Sequence, residues 1–218
     1  GEKRVFVDLP RFNRELGVRL WSRWLLKYLR PIKMEEAWSL TACSGTPIHQ
    51  YDRALLAEAL RAIRPRLQRE YEAVRAEPAA ARFAKTMACR MAGGAVPLDE
   101  VKELLATAGR EGKLGPLNAV KWAECLITVG QVDGLDLYLH LATLSPEGQR
   151  KSILERFENR TTMNRQNRIR YNEKGDLGPR IERYRQWLET RRATLVFNPA
   201  KNGFECNPPD LPEPQEEK

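Results

Sequence analysis

Histidine is nearly missing from this sequence and cysteine is sparse, with two and four copies among 218 residues. A zinc site needs three or four clustered Cys or His ligands, and neither His49 and His140 nor Cys43, Cys89, Cys125 and Cys206 provide a C-x-x-C pair. No metal or other cofactor is expected. The cysteines suggest no disulfide framework, so the expected setting is reducing and intracellular, the cytoplasm or a virion. Also missing is any apolar run long enough to span a membrane. Residues 1–8 (Gly-Glu-Lys-Arg-Val-Phe-Val-Asp) lack the apolar stretch of a secretory signal. Ser44-Gly45-Thr46 falls far short of a phosphate-binding G-x-x-x-x-G-K-[ST] loop and reads as a turn within a loop-like 39–51 segment. No repeat of 20 to 50 residues is present.

What remains is a chain with 42% hydrophobic residues, enough for a core, and a formal charge of +8. That charge is uneven. Residues 1–34 carry nine Lys/Arg against three acids, and residues 150–192 carry thirteen against six. Between them, residues 35–149 carry thirteen against fifteen, and the tail from 193 carries two against five. Two cationic segments therefore flank a near-neutral middle. If they converge in space, they form a patch that attracts phosphate backbones and releases counterions. The competing reading is a set of solvated helix faces with intrahelical Glu–Arg pairs.

Periodicity points to an all-α fold. Residues 12–30 read as a helix with Leu16, Leu20, Trp21, Trp24, Leu25 and Tyr28 on one face and a cationic stripe of Arg19, Arg23, Lys27 and Arg30. Residues 51–75 read as a long helix that Pro65 should kink or split. Helices follow at 79–92, at 98–109 with Gly109 as its stop, and at 116–129 with Pro116 in its first turn. Residues 135–143 alternate Leu135, Leu137, Leu139 and Leu141 as a strand would, but their Leu/Ala composition favours a short buried helix. Ser145-Pro146-Glu147 reads as a helix start with Ser145 as N-cap, the helix running to about 158. The last helix spans 180–195, with Ile181, Tyr184, Trp187 and Leu188 inward and Arg180, Arg183 and Arg191 outside. From 198 onward, five prolines, five acids and few apolar residues predict a tail unable to form its own core, although Phe204 and Leu211 are available as anchors. The expected organisation is an extended arm at 1–11, a multi-helix domain at 12–197 and an acidic Pro-rich tail, disordered or docked, at 198–218.

Catalytic constellations are weak. Asp136 and His140 stand four apart and share a helical face, an arrangement more typical of a structural hydrogen bond than of general-base chemistry. Cys43 has His49 six residues away, which fixes no geometry. Glu35-Glu36 and Asp99-Glu100 suit helix N-termini. Cys89 and Cys125 read as small buried hydrophobes.

The richest segment runs from Arg156 to Tyr171. It interleaves Arg156, Arg160, Arg165, Arg168 and Arg170 with Asn159, Asn164, Gln166, Asn167 and Tyr171. Arginine offers bidentate donors to phosphate, Asn and Gln bond sugar or base edges, and Tyr171 can stack. The bland reading is a soluble connector. With Arg19, Arg23, Lys27, Arg30, Arg180 and Arg183, these cations make non-enzymatic, sequence-tolerant binding of RNA or single-stranded DNA the leading expectation. An arm and a tail at opposite ends suit assembly along a strand, as in a nucleocapsid or effector complex. A helical protein–protein adaptor is the alternative.

Overall fold

The computed structural model describes residues 50–74, 76–162 and 177–207. Among them are seven α-helices: α1 (Gln50–Ala73), α2 (Ala79–Met91), α3 (Leu98–Arg110), α4 (Pro116–Thr128), α5 (Asp133–Leu144), α6 (Glu147–Asn159) and α7 (Gly178–Arg191). A 3-10 turn at Arg192–Thr194 then leads into a two-stranded antiparallel hairpin, β1 (Leu195–Asn198) and β2 (Gly203–Cys206). The all-α reading is correct for the helical body. The arm at 1–11 and the helix at 12–30 lie outside the described residues, as does the tail beyond 207.

Helix α1 packs on α2, α2 on α3, α4 on α5 and α5 on α6, and α5 sits at the centre, touching α3, α4, α6 and α7. Its sequence explains why. Leu135, Leu137, Tyr138, Leu139, Leu141 and Ala142 are all at most 2% exposed, so the helix is apolar nearly all round and needs neighbours on every side. The period-2 leucine pattern thus reflects a helix buried on both flanks, as the Leu/Ala composition had favoured. Helices α4 and α5 approach very closely at Gly134, where an added Cβ would lie 2.6 Å from the Ala123 carbonyl oxygen and 2.6 Å from Ile127 Cγ1. The core continues through Phe83, Met87, Leu105, Leu126, Ile153, Leu154 and Phe157.

Several local expectations are corrected. Pro65 does not split α1: the helix is continuous, and Pro65 stands on its exposed side, where water can satisfy the carbonyl the ring leaves unbonded. Gly109 lies within α3, and Gly112, at φ 67°, takes the turn that follows. Ser145 does not cap α6. Its buried hydroxyl donates to the Leu141 carbonyl at 2.7 Å, closing α5, and Pro146 is the residue that opens α6. The final helix ends at Arg191, not 195.

The main departure is the hairpin, which crosses the expected boundary at 197/198. Leu195 pairs with Cys206, and Phe197 with Phe204. Directly opposed residues share a face, so these four side chains turn to the helices while Val196 is 52% exposed. Phe204 is 3% exposed, with its ring centroid 5.4 Å from that of Phe197. The start of the expected tail is therefore part of the core, with Phe204 as its anchor.

Candidate nucleic-acid interface

Glu124 is an acid in the otherwise apolar run Trp122–Ile127 of α4, and its side chain is only 9% exposed. A carboxylate so far from water needs partners. Two arginines from α6 and its C-terminal end supply them. Arg156 donates Nη1 to one carboxylate oxygen at 3.3 Å, and Arg160 donates Nε and Nη2 to the other at 3.1 and 2.8 Å. Arg156 keeps half its side chain in solvent, at 49% exposure. Lys121 stands one turn before Glu124 on α4, half-buried, and its ammonium is pushed below the usual lysine value by burial first and by the Arg156 charge second. Two arginines thus bind one acid. The Tyr138 hydroxyl is buried beside the same carboxylate, and burial first, then Glu124, raise it well above the usual phenol value.

Arg160 also fastens the hairpin. Its Nη1 donates to the Asn202 carbonyl at 3.2 Å, and its own carbonyl accepts from the Phe204 N–H at 2.7 Å. Gly203 makes this contact possible, because a Cβ there would lie 2.7 Å from the Arg160 carbonyl oxygen. Thr162 Oγ1 faces Cys206 Sγ at 3.9 Å.

A second buried cluster ties α6 to α7. Glu158 accepts from both Arg180 and the Tyr184 hydroxyl, and Arg180 Nε donates to Tyr184 at 2.8 Å. Tyr184 stacks on Phe157 with ring centroids 5.2 Å apart and planes 12° from parallel. Burial first, then the bond to Glu158, raises the Tyr184 phenol, so it stays a donor. This cluster ties α6, where the Arg156–Tyr171 segment singled out in the sequence begins, to α7; the part of that segment from 163 on lies outside the described residues.

Of the expected contact residues, Arg156 and Arg160 come together at Glu124. Arg183 is exposed on α7. Arg180 is a correction: expected on the outer face, it is 6% exposed and committed to Glu158, because the first turn of α7 faces the α6 carboxylate. Arg19, Arg23, Lys27, Arg30, Arg165, Arg168, Arg170 and Tyr171 lie outside the described residues, as do Glu35, Glu36, Cys43 and His49.

No family model matches the chain, and neither a curated protein nor a solved structure matches it.

Lys121 and Glu124 were not singled out from the sequence, although an acid inside an apolar helical run is a legible sign of a buried partner. Exposed Arg61, Arg64 and Arg69 on α1 were also overlooked, since acids elsewhere in residues 35–149 cancel them in the charge map. None of these three has a carboxylate partner among the described residues.

The remaining constellations resolve as structural. Asp136 binds Arg192, whose Nη1 also reaches Asp133 at 3.4 Å, and Arg90 from α2 pairs with the same Asp133. His140 Nε2 instead lies 3.3 Å from the Lys102 carbonyl oxygen. The Asp136–His140 hydrogen bond expected from their spacing is thus replaced by bonds to other elements. Asp99 and Glu100 do stand in the first turn of α3, and Glu100 accepts from Tyr71 of α1. Cys89 and Cys125 are buried as expected, and burial pushes their thiols up to about 11 and about 12. Among the described residues no group of three or more His, Cys, Asp or Glu could hold a metal ion, and no helix is long and apolar enough to cross a membrane.

Proposed function

We propose that this chain is a non-enzymatic nucleic-acid-binding protein that takes RNA or single-stranded DNA with little sequence preference. The observation carrying this reading is the α4–α6 surface, where Arg156 keeps half its side chain in solvent and its charge acts on Lys121. The sequence that continues beyond Thr162, residues 163–176, adds four Lys/Arg against two acids. Phosphate neutralisation by these cations, with Arg61, Arg64 and Arg69 as a further exposed set, is the mechanism. Buried pairs hold the scaffold rather than the ligand.

A salt series tests it. Binding of a single-stranded RNA of about 30 nucleotides should weaken linearly in log K against log salt, with a slope of about −3 for four to five phosphate contacts. A flat dependence removes the mechanism. The adaptor reading predicts salt-insensitive protein binding instead. It has less support, because Leu144 and Val196 are the exposed large apolar side chains among the described residues, too few for the apolar centre of a stable interface.

A further inference from the structure

Glu124 has more donors within reach than it uses. Its Oε2 accepts two bonds from Arg160, at 3.1 and 2.8 Å, while Oε1 accepts one long bond from Arg156 at 3.3 Å. A further donor stands on α5. Gly134 presses on α4 at Ala123 and Ile127, and Tyr138, one turn on along the same face of α5, follows it onto α4. Tyr138 is 0% exposed. Burial and then the Glu124 charge keep its phenol protonated, with Arg160 and Arg156 acting in the opposite sense. The hydroxyl stands close enough for the carboxylate to act on it, yet falls short of hydrogen-bonding geometry and has no partner among the described residues. A buried hydroxyl without an acceptor is unfavourable. Here the acceptor beside it is a carboxylate whose less-bonded oxygen is held by the arginine that is half in solvent.

We propose that Tyr138 is a positioning residue for the ligand: when Arg156 turns from Glu124 to a phosphate group of a bound strand, the Tyr138 hydroxyl takes its place on the carboxylate. The incoming phosphate rests on the nucleic-acid reading; the exchange of donors rests on the Glu124 cluster alone. Arg156 is the arginine able to leave, because its side chain is 49% exposed against 24% for Arg160, which also donates to the Asn202 carbonyl. No proton is transferred. One hydrogen bond, Arg156 to Oε1, breaks, and one from the phenol to Glu124 forms. Without Tyr138, each phosphate contact made by Arg156 would leave a buried carboxylate oxygen without a donor. With it, the unpaired hydroxyl of the free chain is satisfied in the bound one, so releasing Arg156 costs less.

Tyr138→Phe, Arg156→Met and the double variant test the exchange first without ligand. Phe keeps the ring and removes the hydroxyl; Met keeps an unbranched stem and removes the donors. In the parent the hydroxyl has no bond to lose, so Tyr138→Phe should hold the melting temperature or raise it by about 2 to 4 °C. In the Arg156→Met background the hydroxyl is bonded to Glu124, so the same change should lower it by about 2 to 4 °C. A hydroxyl that contributes no more to stability in that background than in the parent overturns the exchange. Binding of the 30-nucleotide RNA is measured next. Tyr138→Phe should bind about five-fold more weakly than the parent with an unchanged salt slope, since no phosphate contact is lost. In the Arg156→Met background it should leave the affinity unaltered, because Tyr138 acts through Arg156. A loss of packing would not give a protein that is at least as stable and binds less well. Equal affinity of Tyr138→Phe and the parent, or a five-fold loss that persists without Arg156, overturns the positioning role. If even the parent binds no RNA while the stability cycle behaves as stated, the nucleic-acid reading fails and the exchange at Glu124 stands.

Discussion

Arg160 is bonded at once to Glu124 and to the Asn202 carbonyl, so one guanidinium joins α4, the end of α6 and the hairpin. A buried carboxylate holding two arginines is costly to lose from either side. Removing the acid leaves two cations facing an apolar helix, and typical costs for breaking such a buried pair are about 3 kcal/mol. Glu124→Gln should therefore lower the melting temperature by about 6 to 12 °C. It should also speed amide exchange at Phe204, whose N–H is held by the Arg160 backbone. A Phe204 amide that stays protected in this variant would show that the hairpin is held by its aromatic face alone.

Gly203 offers a sharper test of the same junction. Its close neighbour is backbone, the Arg160 carbonyl, so a methyl group there cannot be absorbed by a side-chain rotation. Gly203→Ala should separate β2 from α6 and cost about 2 kcal/mol, in the range of overpacking a tight contact. Thermal unfolding measures the cost. The Thr162–Cys206 contact should open with it, so Cys206, which is 5% exposed, should become reactive to alkylation well before Cys125. A variant as stable and as unreactive as the parent would mean that the junction has slack.

His140 gives a pH dependence with a definite sign. It sits half-buried on α5 against the Lys102 carbonyl, and burial, followed by the charges of Lys102 and Arg185, lowers its pKa below 6.5. The folded chain then disfavours the protonated ring relative to the unfolded chain. The stability contributed by the neutral ring is present above pH 6.5 and is lost as pH falls through the folded value. Asp136 moves the opposite way. Burial raises its carboxyl above 3.8 despite Arg192, so ionising it costs folding free energy at neutral pH, and that cost is relieved on acidification. The melting temperature of His140→Gln should therefore lose less than that of the parent between pH 7 and pH 5. Identical pH profiles for the two would remove the assignment.

Helix positions α2 to α6 were legible because periodicity reports burial, and each of those helices buries one face or, in α5, nearly all of itself. The hairpin was not legible. Its strands are four residues each, and the prolines and acids around them dominate any compositional window. Only pairing across sequence brings Phe197 and Phe204 together on the core. Charge was read with mixed success for the same reason. A count of arginines gives the field of a segment but not which guanidinium turns inward. Arg180 and Arg183 are three residues apart on one helix, yet the first is buried on Glu158 and the second is exposed. The decisive partners, Glu124 and Glu158, come from other helices, so no local pattern could have assigned them.

That division yields the test that separates scaffold from ligand contacts. Arg180 fills a buried pair, so Arg180→Gln leaves Glu158 without its cation and should cost about 3 kcal/mol of stability. Measured below its own melting transition, its RNA affinity and salt slope should match the parent's. Arg156 keeps half its side chain in solvent, and Glu124 retains Arg160 when Arg156 is replaced. Arg156→Gln should cost under about 1 kcal/mol of stability, as partly exposed pairs do. It should weaken RNA binding several-fold and reduce the magnitude of the salt slope by about 0.7, the single-strand value for one lost phosphate contact. The opposite pattern, with Arg180 controlling affinity and Arg156 controlling stability, would mean that phosphates reach the α6–α7 cluster and that the half-exposed Arg156 is only part of the fold's surface.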